Sequence, residues 1–102
     1  MATTQTLVTA EQLLAMGPDA RFELVSGELV KMSPVKKKHG WIVVRLASWI
    51  YSFVDRHKLG VVGTEVGFIM ARNPDLVRAP DVSFVAAARW GDYDDDGFFE
   101  GG

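Results

Sequence analysis

The sequence contains no cysteine, few prolines and no long uninterrupted apolar run. Without cysteine, disulfide bonds and thiolate metal sites are excluded. The most apolar stretch, residues 41–54, includes Arg45, Ser48 and Ser52 and is too short to span a bilayer. The first residues lack the basic region and the apolar core of a signal peptide. We therefore expect a cytoplasmic protein that does not enter a membrane.

The composition is that of one small globular domain. The chain has 102 residues, of which 48% are hydrophobic and 24% charged, which excludes a disordered tail. Its net charge of −2 excludes a surface coated in basic residues, although a local basic patch stays possible.

Local patterns predict a short helix followed by a hairpin and a long helix. Thr9 and Gln12 have the spacing of a capping box at the start of the short helix. Residues 21–32 form two short apolar runs around Ser26-Gly27, which is typical of a hairpin. The long helix is predicted from near His39 to a stop at Gly60. Its apolar stripe is expected to carry much of the core, and consists of Ile42, Leu46, Trp49, Ile50 and Phe53.

Two further strands are predicted, over residues 61–70 and 77–86. Because Pro80 has no N–H group, the second strand is expected to begin at Asp81. Residues 91–102 are predicted to be an acidic, glycine-rich loop, with Phe98-Phe99 leading towards another element. A sheet that ended on an unpaired strand would be prone to aggregate. We therefore expect a truncated domain.

Asp81 is the strongest candidate for chemistry in this sequence. A carboxylate at the head of an apolar strand is held rigidly, and it can bind a hard cation such as Mg²⁺ with water completing the shell. Such a metal can activate water for phosphodiester hydrolysis. The alternative is that Asp81 only marks the entry to the strand after Pro80.

Other polar residues have both a functional and a plain interpretation. Glu23 and Glu28 are possible metal ligands or solvated hairpin side chains. His39 is a possible phosphate or proton-transfer group, or a surface histidine. The cluster Lys36–Lys38 suits a nucleic-acid backbone or a solvated loop. A calcium site is disfavoured by the spacing of the acidic residues Asp92, Asp94, Asp95 and Asp96.

Several segments in the correct order resemble the Uma-type putative restriction endonuclease family, within the PD-(D/E)XK nuclease superfamily. These segments are residues 9–14, 21–30 and 32–34 with His39, and then 78–85 and 97–101. The resemblance covers almost the whole chain but only about the N-terminal half of the family's domain. It therefore implies that residues 1–102 are the N-terminal portion of one restriction-endonuclease-like domain, an α/β (α+β) core with a mixed sheet flanked by helices.

The resemblance also implies a chemistry. Asp81 matches the first acidic metal ligand, for Mg²⁺ or Mn²⁺, and Glu28 and His39 match family positions with candidate catalytic roles. The strand that carries the second acidic ligand has no counterpart in the sequence, and Glu100 is not assigned to that role. The implied function is a hydrolase that cuts DNA as an intact domain, with this chain inactive by itself.

A different class of function stays open. The chain is alternatively a non-catalytic module of the same fold, which binds nucleic acid or a protein and can form a homo-oligomer through its sheet edge. A gene fragment without a function of its own is the third possibility.

Overall fold

A computed structural model of the chain describes residues 6–91 and 96–101. Asp92, Asp94 and Asp95, for which a solvated loop is predicted, lie outside the described residues. The described elements, in chain order, are α1 (Ala10–Ala15), β1 (Phe22–Val25), β2 (Glu28–Lys31), α2 (Lys37–His57), β3 (Gly60–Gly63), β4 (Phe68–Ala71), β5 (Leu76–Arg78), β6 (Ser83–Ala86), α3 (Ala87–Trp90) and β7 (Phe99–Glu100). This mixture of helices and strands confirms the predicted α+β class.

The chain divides into two compact units, each made of separated segments. The first unit comprises the segment that ends at Met32, Gly67–Arg78 and the segment that starts at Phe98. Its five-stranded sheet has the order β2-β1-β5-β4-β7. All neighbouring strands are antiparallel except β4 and β7, which are parallel. The sheet is therefore mixed, as predicted.

The first helix and hairpin of this unit follow the local sequence signals. The Gln12 N–H donates to Thr9 Oγ1 at 3.1 Å, and the Thr9 N–H donates to Gln12 Oε1 at 2.9 Å. This confirms the capping box. Ser26 and Gly27 connect β1 to β2 with φ values of 51° and 77°, as a tight primed turn requires at both central residues.

The core of the first unit lies between α1 and the sheet strands. Leu24 of β1 is fully buried. The buried cluster around it consists of Ala10, Leu13, Ile69 and Val77, with Val8, Phe22 and Phe98 packed against it. These side chains come from segments far apart in the sequence, so the hydrophobic effect joins them into one cluster.

Strand β7 lies where a loop was predicted. The Phe99 N–H donates to the Gly67 carbonyl at 2.9 Å, and the Gly101 N–H donates to the Ile69 carbonyl at 2.8 Å. The rings of Phe68 and Phe99 are 5.7 Å apart. The prediction was wrong because a two-residue strand has no visible period and is defined only by its partner, β4.

The second unit comprises Ser33–Val66 and Ala79–Gly97. Strands β3 and β6 pair antiparallel, from Gly60 opposite Ala86 to Gly63 opposite Ser83. The helix α2 ends at His57, and Lys58 adopts the left-handed conformation with φ 54°. The prediction that Gly60 stops this helix was therefore wrong. Gly60 instead allows close strand approach, since a Cβ there would overlap the Val85 carbonyl oxygen.

Both long predicted strands are divided in the structure. Residues 61–70 contribute to β3 and β4, and residues 77–86 contribute to β5 and β6. Strands β4 and β5 belong to the five-stranded sheet, whereas β3 and β6 form the two-stranded sheet. Strand β6 begins at Ser83, not at Asp81, which lies in a bend. Apolar composition predicts extended backbone, but it does not show where a strand leaves one sheet for another.

Helix α2 is confirmed, but its predicted contribution to the core is wrong for the described part of the chain. Val54 is its buried residue. The predicted stripe is largely exposed, with Trp49 at 66% and Phe53 at 57%. Helical period identifies residues on one face without showing what covers that face. Within the described ranges, no helix is long and apolar enough to cross a membrane.

Candidate metal and nucleic-acid site

Asp81 lies just beyond the end of the β3–β6 ladder. The last pair of that ladder joins Gly63 to Ser83. Next to it, the Glu65 N–H donates to the Pro80 carbonyl at 3.1 Å. This hydrogen bond ties the bend that contains Asp81 to the chain that leaves β3. The carboxylate is therefore positioned by two anchored backbone segments.

His39 lies in the first turn of α2 and meets Asp81. The distance from His39 Nε2 to Asp81 Oδ2 is 3.0 Å. The contact is an ion pair when the imidazole is protonated, and a hydrogen bond when neutral His39 carries its proton on Nε2. The side chains are 46% and 57% exposed. The structure thus brings together two of the three predicted site residues in a place open to solvent.

Charges around this end of α2 conflict with the helix dipole. The N-terminus of a helix carries partial positive charge and favours anions. The first turn of α2 has no acidic residue, and the N-cap Lys36 makes no side-chain capping hydrogen bond. Lys36, Lys37 and Lys38 are all exposed there. A basic cluster beside Asp81 and His39 suits an anionic partner such as phosphate.

The donor set at Asp81 fits a divalent cation in part. Mg²⁺ takes oxygen ligands and often binds through one or two carboxylates, with water and substrate phosphates in its other positions. The exposed Asp81 carboxylate can serve as one such ligand, while an imidazole such as His39 suits Zn²⁺ better than Mg²⁺. The described residues contain no group of three or more His, Cys, Asp or Glu side chains placed to hold one ion. Asp81 therefore stays a single predicted metal ligand among the described residues.

Glu28 and Glu23 both lie in the first unit. Glu28 is the exposed first residue of β2, opposite Val25. Glu23 in β1 accepts a hydrogen bond from Arg78 at 3.4 Å, and this ion pair fits a structural role. The candidate catalytic role of Glu28 stays a prediction.

A second polar cluster, which the sequence patterns did not predict, surrounds Arg72 in the first unit. Its guanidinium contacts Glu11 at 2.9 Å, Asp75 at 3.1 Å and Glu100 at 3.3 Å. The hydrogen bond with Arg72 lowers the pKa of Glu11, and the hydrogen bond from the Ala10 N–H lowers the pKa of Asp75. The carboxylates in turn raise the pKa of Arg72 above its usual range. This cluster joins α1, the β4–β5 turn and β7, so its role is structural.

A shallow apolar groove of about 350 Å³ lies between α2 and β3. Its lining residues are Val44, Ala47, Ser48, Tyr51, Val62, Gly63 and Thr64. Among the described residues, the lining includes no carboxylate and no imidazole. The candidate site residues Asp81 and His39 are not part of this described lining.

The fold defines the class of protein to which the chain is similar. It resembles a solved structure described as a putative nuclease belonging to DUF820 from Anabaena variabilis ATCC 29413, with a TM-score of 0.71 and 17% sequence identity. The similarity covers 92% of this chain and 52% of the other. The chain thus spans about half the length of this structural relative. The structural similarity shows that the two share a restriction-endonuclease-like fold.

The sequence identifies the family within that class. Residues 9–101 match the family model Uma2, described as "Putative restriction endonuclease". The chain belongs to this family, as the resemblance of its motifs predicted. A search of curated protein sequences gave no significant match.

Proposed function

We propose that this chain carries the Asp81 part of a divalent-metal-dependent endonuclease site that hydrolyses DNA. The observation that carries the proposal is the 3.0 Å contact between Asp81 and His39, exposed to solvent beside the basic cluster Lys36–Lys38. Family membership supports a nuclease with a divalent metal. The identity of the ion as Mg²⁺ or Mn²⁺ and the choice of DNA are part of the proposal.

The chemistry assigned to the intact domain is hydrolysis of a phosphodiester. A bound divalent cation would supply Lewis-acid stabilisation of charge on the phosphate and lower the pKa of a water. The water oxygen forms a bond to phosphorus, and the bond from phosphorus to the leaving sugar oxygen breaks. The proton lost by the water reaches that oxygen through solvent. The products are a phosphate monoester and a free hydroxyl group.

The residues of this chain have distinct roles in that reaction. Asp81 would hold the cation, and the bend before β6 keeps its carboxylate in place. His39 orients the Asp81 carboxylate through their contact and offers an imidazole beside the reacting phosphate. Lys36–Lys38 attract the DNA backbone at the start of α2. The candidate catalytic role of Glu28 stays a prediction from its match to the family position.

One carboxylate does not reproduce the pair that positions metal, water and phosphate in this superfamily. We therefore expect the 102-residue chain by itself to bind Mn²⁺ weakly and to leave DNA uncut. Mn²⁺ binding is measured by electron paramagnetic resonance, with Asp81→Asn as the test variant. Loss of binding in this variant supports the ligand role, and unchanged binding contradicts it.

Cleavage is tested separately, on plasmid DNA with Mg²⁺ or Mn²⁺. If the pure chain cuts DNA repeatedly and Asp81→Ala abolishes the cutting, the predicted inactivity is wrong and the Asp81 site is established. In a longer polypeptide with both halves of the fold, Asp81→Asn is expected to abolish cleavage. If that polypeptide binds DNA but never cuts it, the alternative of a non-catalytic binding module is favoured. The cytoplasmic location and the homo-oligomer stay predictions.

A further inference from the structure

One side of α2 carries alternating basic and aromatic side chains, which we call the Trp–Arg stripe. It consists of Lys38, Trp41, Arg45, Trp49 and Arg56, all of them exposed. At 3.6 residues per turn these positions fall within about 80° of the helix circumference. They therefore form one continuous surface along most of the helix.

The centre of the Trp–Arg stripe is ordered by cation–π contacts. The Arg45 guanidinium carbon lies 4.9 Å from the Trp41 ring centroid and 5.3 Å from that of Trp49. The two tryptophans are nevertheless 56% and 66% exposed. Arginine between two aromatic rings restricts their rotamers while leaving ring surface open to solvent. The rings are thus held ready for a partner that stacks.

The chemistry of the stripe selects the kind of partner. Exposed ring faces bind other flat, apolar rings, and the three cations Lys38, Arg45 and Arg56 bind anions. Single-stranded nucleic acid offers both features, since its bases are free to stack and its phosphates are charged. In a duplex the base faces are already stacked. A second copy of this chain is disfavoured because a symmetric contact would bring like charges together.

The dimensions of the stripe agree with such a partner. From Lys38 to Arg56 the helix rises about 27 Å, which leaves room for several nucleotides of a single strand. Trp41 and Trp49 are separated by about 12 Å along the axis. The two rings are therefore far enough apart to contact separate bases, with the Arg45 guanidinium between the rings.

We propose that the Trp–Arg stripe binds a single-stranded nucleic-acid segment, with bases on Trp41 and Trp49 and phosphates on the three cations. The inference rests on the proposed function only in taking nucleic acid as the partner. It requires neither metal nor cleavage. Its test is therefore made in EDTA, where failure of the metal site has no influence on the result.

The experiment measures binding of the 102-residue chain to a fluorescein-labelled dT12 oligonucleotide by anisotropy, with tryptophan quenching as a second signal. Trp41→Ala and Trp49→Ala are each expected to weaken binding by about fivefold or more, from the loss of one stacked base. Trp49→Phe, which keeps an aromatic ring, is expected to retain most of the affinity that Trp49→Ala loses. Arg45→Gln is expected to reduce the slope of log affinity against log salt by about 0.7.

The matched control is Val44→Ala, which changes an apolar side chain of α2 that is 66% exposed and lies outside the Trp–Arg stripe. It is expected to leave binding and quenching unchanged. Circular dichroism shows whether each variant keeps its helix. The proposal is overturned if duplex DNA binds as tightly as dT12, if the tryptophan variants bind normally, or if Val44→Ala is equally defective. It is also overturned if the chain self-associates with both tryptophans shielded from quencher.

Discussion

Replacing Asp81 by asparagine separates a functional carboxylate from a structural one. The change keeps the size of the side chain and removes its charge. In the described part of the chain, the side-chain partner of Asp81 is His39, at 3.0 Å. If Asp81 only marked a strand entry, this substitution would matter for folding alone. If it is a metal ligand, it matters for metal binding and cleavage and very little for stability.

The expected effect on stability follows from exposure. The Asp81 and His39 side chains are 57% and 46% exposed, and exposed pairs of this kind contribute about 0.2–1 kcal/mol. The free energy of unfolding should therefore fall by less than about 1 kcal/mol. The contrasting variant is Leu24→Ala, in which a fully buried side chain is truncated at a cost of about 2–5 kcal/mol.

Urea unfolding followed by tryptophan fluorescence measures both variants. With a denaturant slope of about 1.5 kcal/mol/M, the Asp81→Asn midpoint should fall by less than about 0.7 M, and the Leu24→Ala midpoint by more than about 1.3 M. His39→Ala and the double variant complete a cycle in which the coupling energy should also stay below about 1 kcal/mol. An Asp81→Asn midpoint as low as that of Leu24→Ala would refute the reasoning and make Asp81 a structural residue.

Two further predictions concern the scaffold. Gly60→Ala should lower the urea midpoint, because its Cβ would overlap the Val85 carbonyl oxygen. Gly40→Ala should raise the midpoint slightly, because among the described residues its Cβ meets only Val35, at 4.0 Å, and alanine favours a helix by about 1 kcal/mol over glycine. Equal midpoints for the two variants would contradict this account. The lowered pKa values of Glu11 and Asp75 stabilise the folded state above the unfolded-state values near 4, and this stability is lost as the pH falls through the lower folded-state values. Urea midpoints measured from pH 7 to pH 2 should fall as the pH falls. The fall should be smaller in the variant Arg72→Met.

Sequence alone determined the features that depend on neighbouring residues. The capping box of Thr9 and Gln12, the turn at Ser26-Gly27 and the long helix α2 were all predicted correctly, since capping, turn conformation and helical period are local properties. Residue type made Asp81 and His39 candidates, and their match to a family strengthened that prediction, since their order along the chain was enough for the resemblance. It was not enough to show that they touch.

Tertiary structure decided what joins residues distant in sequence. It brought His39 to Asp81, and it placed Glu11 on Arg72 across 61 positions. It also made a strand of Phe99–Glu100 by pairing it with β4, and it left the apolar stripe of α2 exposed. The physical reason is that periodicity fixes which side chains share a face, while the partner of that face depends on packing of the folded chain. Gly60 illustrates the same point. Its missing side chain leaves room for β6, and β6 lies beside it only in the folded chain.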